Sequence, residues 1–151
     1  LHRLIRRQRQ MCIRDSRTTD IFQLATTVLF QNPVQNFALA PNNLKDVSPV
    51  CMDYMKTIPT TWDETCFIDG YPGKYVVLAR RHNDTWYLAA VNAGKETLKL
   101  KLDLEMFAGK TVTLYKDDKK GEPQLVPLKV KENGKVQLEI LPQGGAVLVN
   151  K

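Results

Sequence analysis

The chain has 151 residues, 43% of them apolar and 25% charged, with a formal net charge of +6, a length that normally makes one domain with a real core. Its apolar runs all fall short of the about 18 consecutive residues a membrane-spanning helix needs. Residues 1–17 hold six arginines against Asp15, a net of +5, so everything after them carries only +1; phosphate binding needs clustered Lys and Arg, and neither a nucleic acid nor a membrane is expected as a partner.

In chain order, the first feature is "RRQRQMCIRDS", Arg6 to Ser16. These eleven residues match one reading frame of the transposase adapter used in shotgun sequencing libraries. Residues 1–16 are therefore set aside as a non-native extension, in preference to a natural basic tail. Native sequence is expected to begin near Arg17, as the C-terminal part of something longer. Setting the tail aside also removes Cys12. Cys51 and Cys66 remain, without a CxxC or a second pair, so buried free thiols are the default, with a Cys51–Cys66 bridge left open.

"TTDIFQLATTVLFQNP" predicts a helix capped by Asp20 or a preceding Thr. Ile21, Leu24, Ala25, Val28 and Leu29 form one apolar face, which Phe22 and Phe30 widen, and Asn32-Pro33 ends it. "VQNFALAP" predicts a short buried strand. "SPVCMDYMKTI" predicts a second helix, with Ser48 as N-cap and Pro49 at the first position. Val50, Cys51, Tyr54, Met55 and Ile58 make its inward face. Helix, strand, helix is a piece of an α/β layer whose lone strand needs neighbours.

From Cys66 the apolar period becomes two. A short first strand is expected at Cys66 to Ile68. "KYVVLARRH" and "TWYLAAVNA" flank Asn83-Asp84 and predict a hairpin. "TLKLKLDLEM" puts Leu98, Leu100, Leu102 and Leu104 on one face. "KTVTLYKDD" follows, and "PQLVPLKVKENGKVQLEIL" predicts a second hairpin, with Asn133-Gly134 as a type I′ turn. "GGAVLVNK" predicts a buried last strand. About eight strands at this spacing predict a mainly β fold, an antiparallel sandwich.

Candidate chemistry is sparse. In "PTTWDET" Asp63 and Glu64 stand beside Trp62, a grouping seen where enzymes grip sugars. Glycoside hydrolysis needs two carboxyl groups about 5–10 Å apart across the bond. Adjacent residues of an extended segment point opposite ways, so Asp63 and Glu64 are read as capping or pairing groups and Trp62 as an anchor, its N–H bonded to backbone. His82 sits at a hairpin end and is expected in solvent; with no other histidine outside the tail, a His-based triad or a His-rich metal site is excluded. Ser48 lies in no nucleophile elbow. "GYPGKY" is a turn and "YKDDKKGEP" a solvated loop. Trp86, Tyr87 and Tyr115 are read as core or same-face pairs. No catalytic, cofactor-binding or metal-binding residue is assigned.

"IPTTWDETCFIDGYPGKYVVLARRHNDTWYLAAVNAG" resembles the start of the C-terminal domain of glycoside hydrolase family 97: the W-D-E segment, the D-G-x-x-G-x-Y turn, the A-R-R strand and the W-Y strand. "LATTVLFQNPVQNFALAP" is similar to that family's last barrel helix and eighth strand. The resemblance divides the chain into residues 17–60, the helix–strand–helix remnant of a (β/α)8 barrel, and residues 61–151, the sandwich. It implies a parent α-glucosidase or α-galactosidase, periplasmic or secreted, with calcium in its active site. The carboxylates and calcium ligands lie upstream, so this part is non-catalytic and holds no cofactor. Its implied partners are the rest of its own barrel and further copies of itself. One departure is Leu39, where related enzymes often have an acid; Asn36, Ala40 and Asn42 border the pocket on this reading. The alternative is a carbohydrate-binding module with Trp86 or Tyr87 as stacking platforms.

Overall fold

The computed structural model describes residues 18–31, 33–35 and 47–150. The strand expected in "VQNFALAP" and the positions Asn36, Leu39, Ala40 and Asn42 lie outside the described residues, as does the whole N-terminal extension.

Among the described residues two α-helices and eight strands form three layers, with a short 3-10 turn at Glu105–Phe107. Helix α1 spans Asp20–Leu29 and starts where Thr19 accepts a bond from the Phe22 N–H, so Thr19 rather than Asp20 is the cap. Helix α2 spans Pro49–Thr57, with the Ser48 hydroxyl accepting from the Val50 N–H and Pro49 losing no needed donor. The strands are β1 (Glu64–Tyr71), β2 (Tyr75–His82), β3 (Thr85–Asn92), β4 (Leu98–Asp103), β5 (Thr111–Asp117), β6 (Pro123–Lys129), β7 (Lys135–Ile140) and β8 (Gly145–Val149). β1 is longer than the short strand expected, and Gly73, at φ +76°, makes the turn into β2.

One sheet has six strands in the order β1-β2-β3-β8-β5-β6, and β4 pairs with β7 in a second, small sheet. Every pairing is antiparallel. The strand alternation sends one set of side chains between the sheets: Leu100, Leu102, Leu104, Val136, Leu138 and Ile140 meet Val77, Leu88, Val112 and Leu148. The other face of the large sheet, with Tyr87, Ala89, Tyr115, Val147 and Val149, is packed under α1 and α2. The outward face of the small sheet is charged, with Lys99 opposite Glu139 and Asp103 opposite Lys135.

The Asn83-Asp84 hairpin forms, with Asn83 at φ +52°. The Asn133-Gly134 hairpin does not: β6 belongs to the large sheet and β7 to the small one. Only Gly134 takes positive φ there, at +68°, and its N–H closes a turn onto the Lys131 carbonyl. The Gly134 carbonyl then accepts from the Leu104 N–H, tying the turn to the end of β4. Pairing β7 with β4 buries its Val136, Leu138 and Ile140 against the large sheet, which pairing with β6 would not. Phe30 also departs from expectation. It follows the helix in an extended conformation and is 65% exposed.

Candidate functional site

The acids at the start of the sandwich are engaged in holding it together. The Asp63 Oδ2 accepts from the Asn83 N–H at 2.6 Å and lies 3.9 Å from Arg81. Glu64 accepts from the Arg81 Nε at 3.2 Å. Both carboxylates thus share one arginine on the neighbouring strand, at a half-exposed edge where such pairs contribute little. The Asp63 N–H donates to the Arg81 carbonyl and His82 Nδ1 contacts the Thr61 carbonyl at 2.9 Å. His82 is half-buried rather than free in solvent. Trp62 fills the seam between helices and sheet, edge-on to Tyr87 at 5.3 Å and facing the Arg80 guanidinium at 5.8 Å. Its indole N–H has no acceptor among the described residues, against the backbone bond expected, because the seam is walled by rings and the guanidinium.

Two charged residues that periodicity alone passed over clamp the ends of α1. Asp117, the last residue of β5, is buried. Its Oδ2 accepts from the Thr19 hydroxyl at 2.7 Å and from the Gly145 N–H at 3.2 Å, while Oδ1 has no partner among the described residues. Arg80 on β2 is 1% exposed and donates Nη1 to the Phe30 carbonyl at 2.9 Å, with Nη2 at 3.5 Å from that of Leu29. An anion at the helix N-terminus and a cation at its C-terminus both oppose the macrodipole favourably. Burial costs each something: it pushes the Asp117 carboxyl up despite the bonds from Thr19 and Gly145 and pulls the Arg80 guanidinium down. The signal in the sequence was their parity, since both fall on strand positions that otherwise point inward.

The cysteines belong to different cores. Cys51, on α2, is buried in the core between the helices and the large sheet, and Cys66, on β1, packs toward the space between the sheets. No bridge joins them. Burial, helped by the charges of Asp20 and Asp117, pushes the Cys51 thiol up to about 12. We expect iodoacetamide at about pH 8 to leave Cys51 unmodified in the native protein and to alkylate it once urea is added, since only the thiolate reacts. Peptide mass spectrometry checks this; native alkylation at the unfolded rate would contradict the burial.

Tyr87 and Tyr115 are buried, and Trp86 packs on the inter-sheet core. Tyr87 therefore offers no face to a sugar. An open groove of about 630 Å³ beside the β6–β7 connection is lined by Gly109, Lys129, Val130, Lys131, Glu132 and Asn133. One carboxylate there cannot flank a glycosidic bond as a pair would. Among the described residues no three His, Cys, Asp or Glu side chains converge as metal ligands. Among the described residues no helix is long and apolar enough to cross a membrane.

A family model described as glycosyl-hydrolase 97 C-terminal, oligomerisation, matches residues 61–150. The chain belongs to that family. The glycoside hydrolase 97 C-terminal fold is shared with several solved structures. A crystal structure of a β-arabinopyranosidase is 84% identical, with a TM-score of 0.87, over 89% of this chain and 21% of that one. A glycoside hydrolase family 97 enzyme from Pseudoalteromonas sp. strain K8, solved in complex with panose, is 25% identical with a TM-score of 0.77, over 90% and 23% respectively. A retaining α-galactosidase of Bacteroides thetaiotaomicron is 29% identical over 88% of this chain and 21% of its own length. The chain thus spans about a fifth of the relatives it matches. Within the family 97 match fall Trp62, Asp63 and Glu64, whose contacts are the structural ones above.

Proposed function

We propose that this chain is the non-catalytic C-terminal portion of a longer family 97 glycoside hydrolase, whose sandwich packs on its own catalytic barrel and supports self-association. The observation that carries the reading is the 84% identity to a β-arabinopyranosidase along 89% of this chain, which is 21% of that enzyme. The proposed substrate of the parent is a β-arabinopyranoside. A β-L-arabinopyranoside has the ring-hydroxyl layout of an α-D-galactopyranoside lacking its C6 group, which accords with α-galactosidases among the more distant relatives. That narrows the expected α-glucosidase or α-galactosidase parent toward the galactose-like configuration. Calcium and a periplasmic or secreted location are proposed for the parent on family resemblance, with the metal in the barrel.

The purified chain should release no p-nitrophenol from p-nitrophenyl β-L-arabinopyranoside or α-D-galactopyranoside above a buffer blank, while the full-length parent should prefer the former. Enzyme-dependent release by the chain itself would overturn the non-catalytic reading. A full-length parent active only on α-glucosides would overturn the substrate.

A further inference from the structure

The helix layer is narrower than the sheet it covers. Packed helices lie about 8–10 Å apart and strands about 4.8 Å apart, so each helix spans two strands and a six-stranded sheet has room for three. Helix α1 lies over β3 and β8. Helix α2 lies beside it toward β5 and β6, with Tyr54 edge-on to Tyr115 at 5.1 Å. The same step in the opposite direction falls on β2 and β1.

What stands there is apolar, and no described helix covers it. Register places Phe67 opposite Leu78 and Leu78 opposite Ala89, so all three share the helix-side face. Ala89 is fully buried under the helices, Leu78 is half-buried, and Phe67 is 66% exposed. The Phe67 ring lies over Gly70, where an added Cβ would approach it to 3.2 Å. Phe30 is held beside this ledge by the bond from Arg80 to its carbonyl. Arg80 itself has only carbonyl acceptors, and its Nε has none among the described residues.

We propose that the face over β1 and β2, with Phe67, Leu78 and Phe30, is a third helix slot, filled by an amphipathic helix from the catalytic portion of the same polypeptide. The inference rests on the reading that a longer parent exists, since about four-fifths of the relatives' length lies outside the part this chain matches. The slot continues an existing helix layer at its own spacing, which suits a helix of the same body.

Hydroxyl-radical footprinting of the 151-residue chain and of the full-length parent, each at two concentrations, tests the slot. Phe67 and Phe30 should oxidise rapidly in the chain and several-fold more slowly in the parent, unchanged by dilution, with Leu24 protected in both. Equal oxidation in both proteins would overturn the proposal. Protection that vanishes on dilution would also overturn it, by assigning the face to a second copy. Phe67→Ser should lower the Tm of the parent and leave that of the chain nearly unchanged; no effect in the parent counts against the slot. Activity of the parent on the arabinopyranoside is read separately. An active parent with an exposed Phe67 sinks the slot alone, whereas DNA upstream of codon 17 that encodes no hydrolase sinks both.

Discussion

Gly145→Ala should destabilise the chain by about 2–3 kcal/mol, the cost of overpacking a tight contact. A Cβ at Gly145 would lie 2.8 Å from the Ile21 carbonyl oxygen and from both the N and Cα of Phe22. All three atoms are backbone of the first turn of α1, so no side chain can rotate away. Relief requires the helix to lift from β8, which loosens Ile21, Leu24, Ala25 and Val28 from Tyr87, Ala89 and Val147. Urea unfolding should show a lower midpoint at an unchanged slope. Because Leu24→Ala weakens the same helix–sheet contact, the double variant should lose less than the sum of the two. An unshifted midpoint for Gly145→Ala would mean that α1 does not dock this closely.

The second large effect is at Asp117. Asp117→Ala strips the acceptor from the Thr19 hydroxyl and from the Gly145 N–H. Buried donors left without partners cost about 1–3 kcal/mol each, partly recovered by water, and a loss of about 3 kcal/mol is expected. Asp117→Asn keeps one carbonyl oxygen for those donors and should stay within about 1 kcal/mol of the parent sequence at neutral pH.

The pH dependence has a definite sign. Burial raises the Asp117 carboxyl above its ordinary value of 3.8. The folded chain therefore binds its proton more tightly than the unfolded chain does. That contribution to stability is complete below the ordinary carboxylate value and is lost as pH rises through the elevated native one. Relative to Asp117→Asn, the unsubstituted chain should gain stability as pH falls from neutral toward 4. A difference that stays flat, or grows in the other direction, would show that the hydrogen bonds from Thr19 and Gly145 outweigh desolvation.

Local signals carried most of the elements. Thr19, Ser48 and Pro49 mark the helix starts, and the alternating leucines from Leu98 to Leu104 mark an inward-facing strand and its exit. The connectivity between strands was far less legible. Asn133-Gly134 has the composition of a tight hairpin, yet Gly134 serves a turn between two sheets, and only the distant Leu104 N–H shows why. Phe30 reads as an extension of an apolar face because periodicity does not register where a helix stops. The absence of a convergent acid pair followed from the adjacency of Asp63 and Glu64, and their contacts agree with that reading. Arg80 and Asp117 were hidden for the opposite reason: their partners, the two ends of α1, lie far away along the chain.

The position of β8 has a consequence for biosynthesis. It comes after the other seven described strands in chain order, yet it lies in the interior of the six-stranded sheet, bonded to β3 on one side and β5 on the other. Until it emerges, β1 to β3 and β5 to β6 are two half-sheets with raw inner edges. Truncation ahead of β8 would therefore forfeit the keystone instead of trimming a margin, and the two half-sheets cannot join until β8 has been made.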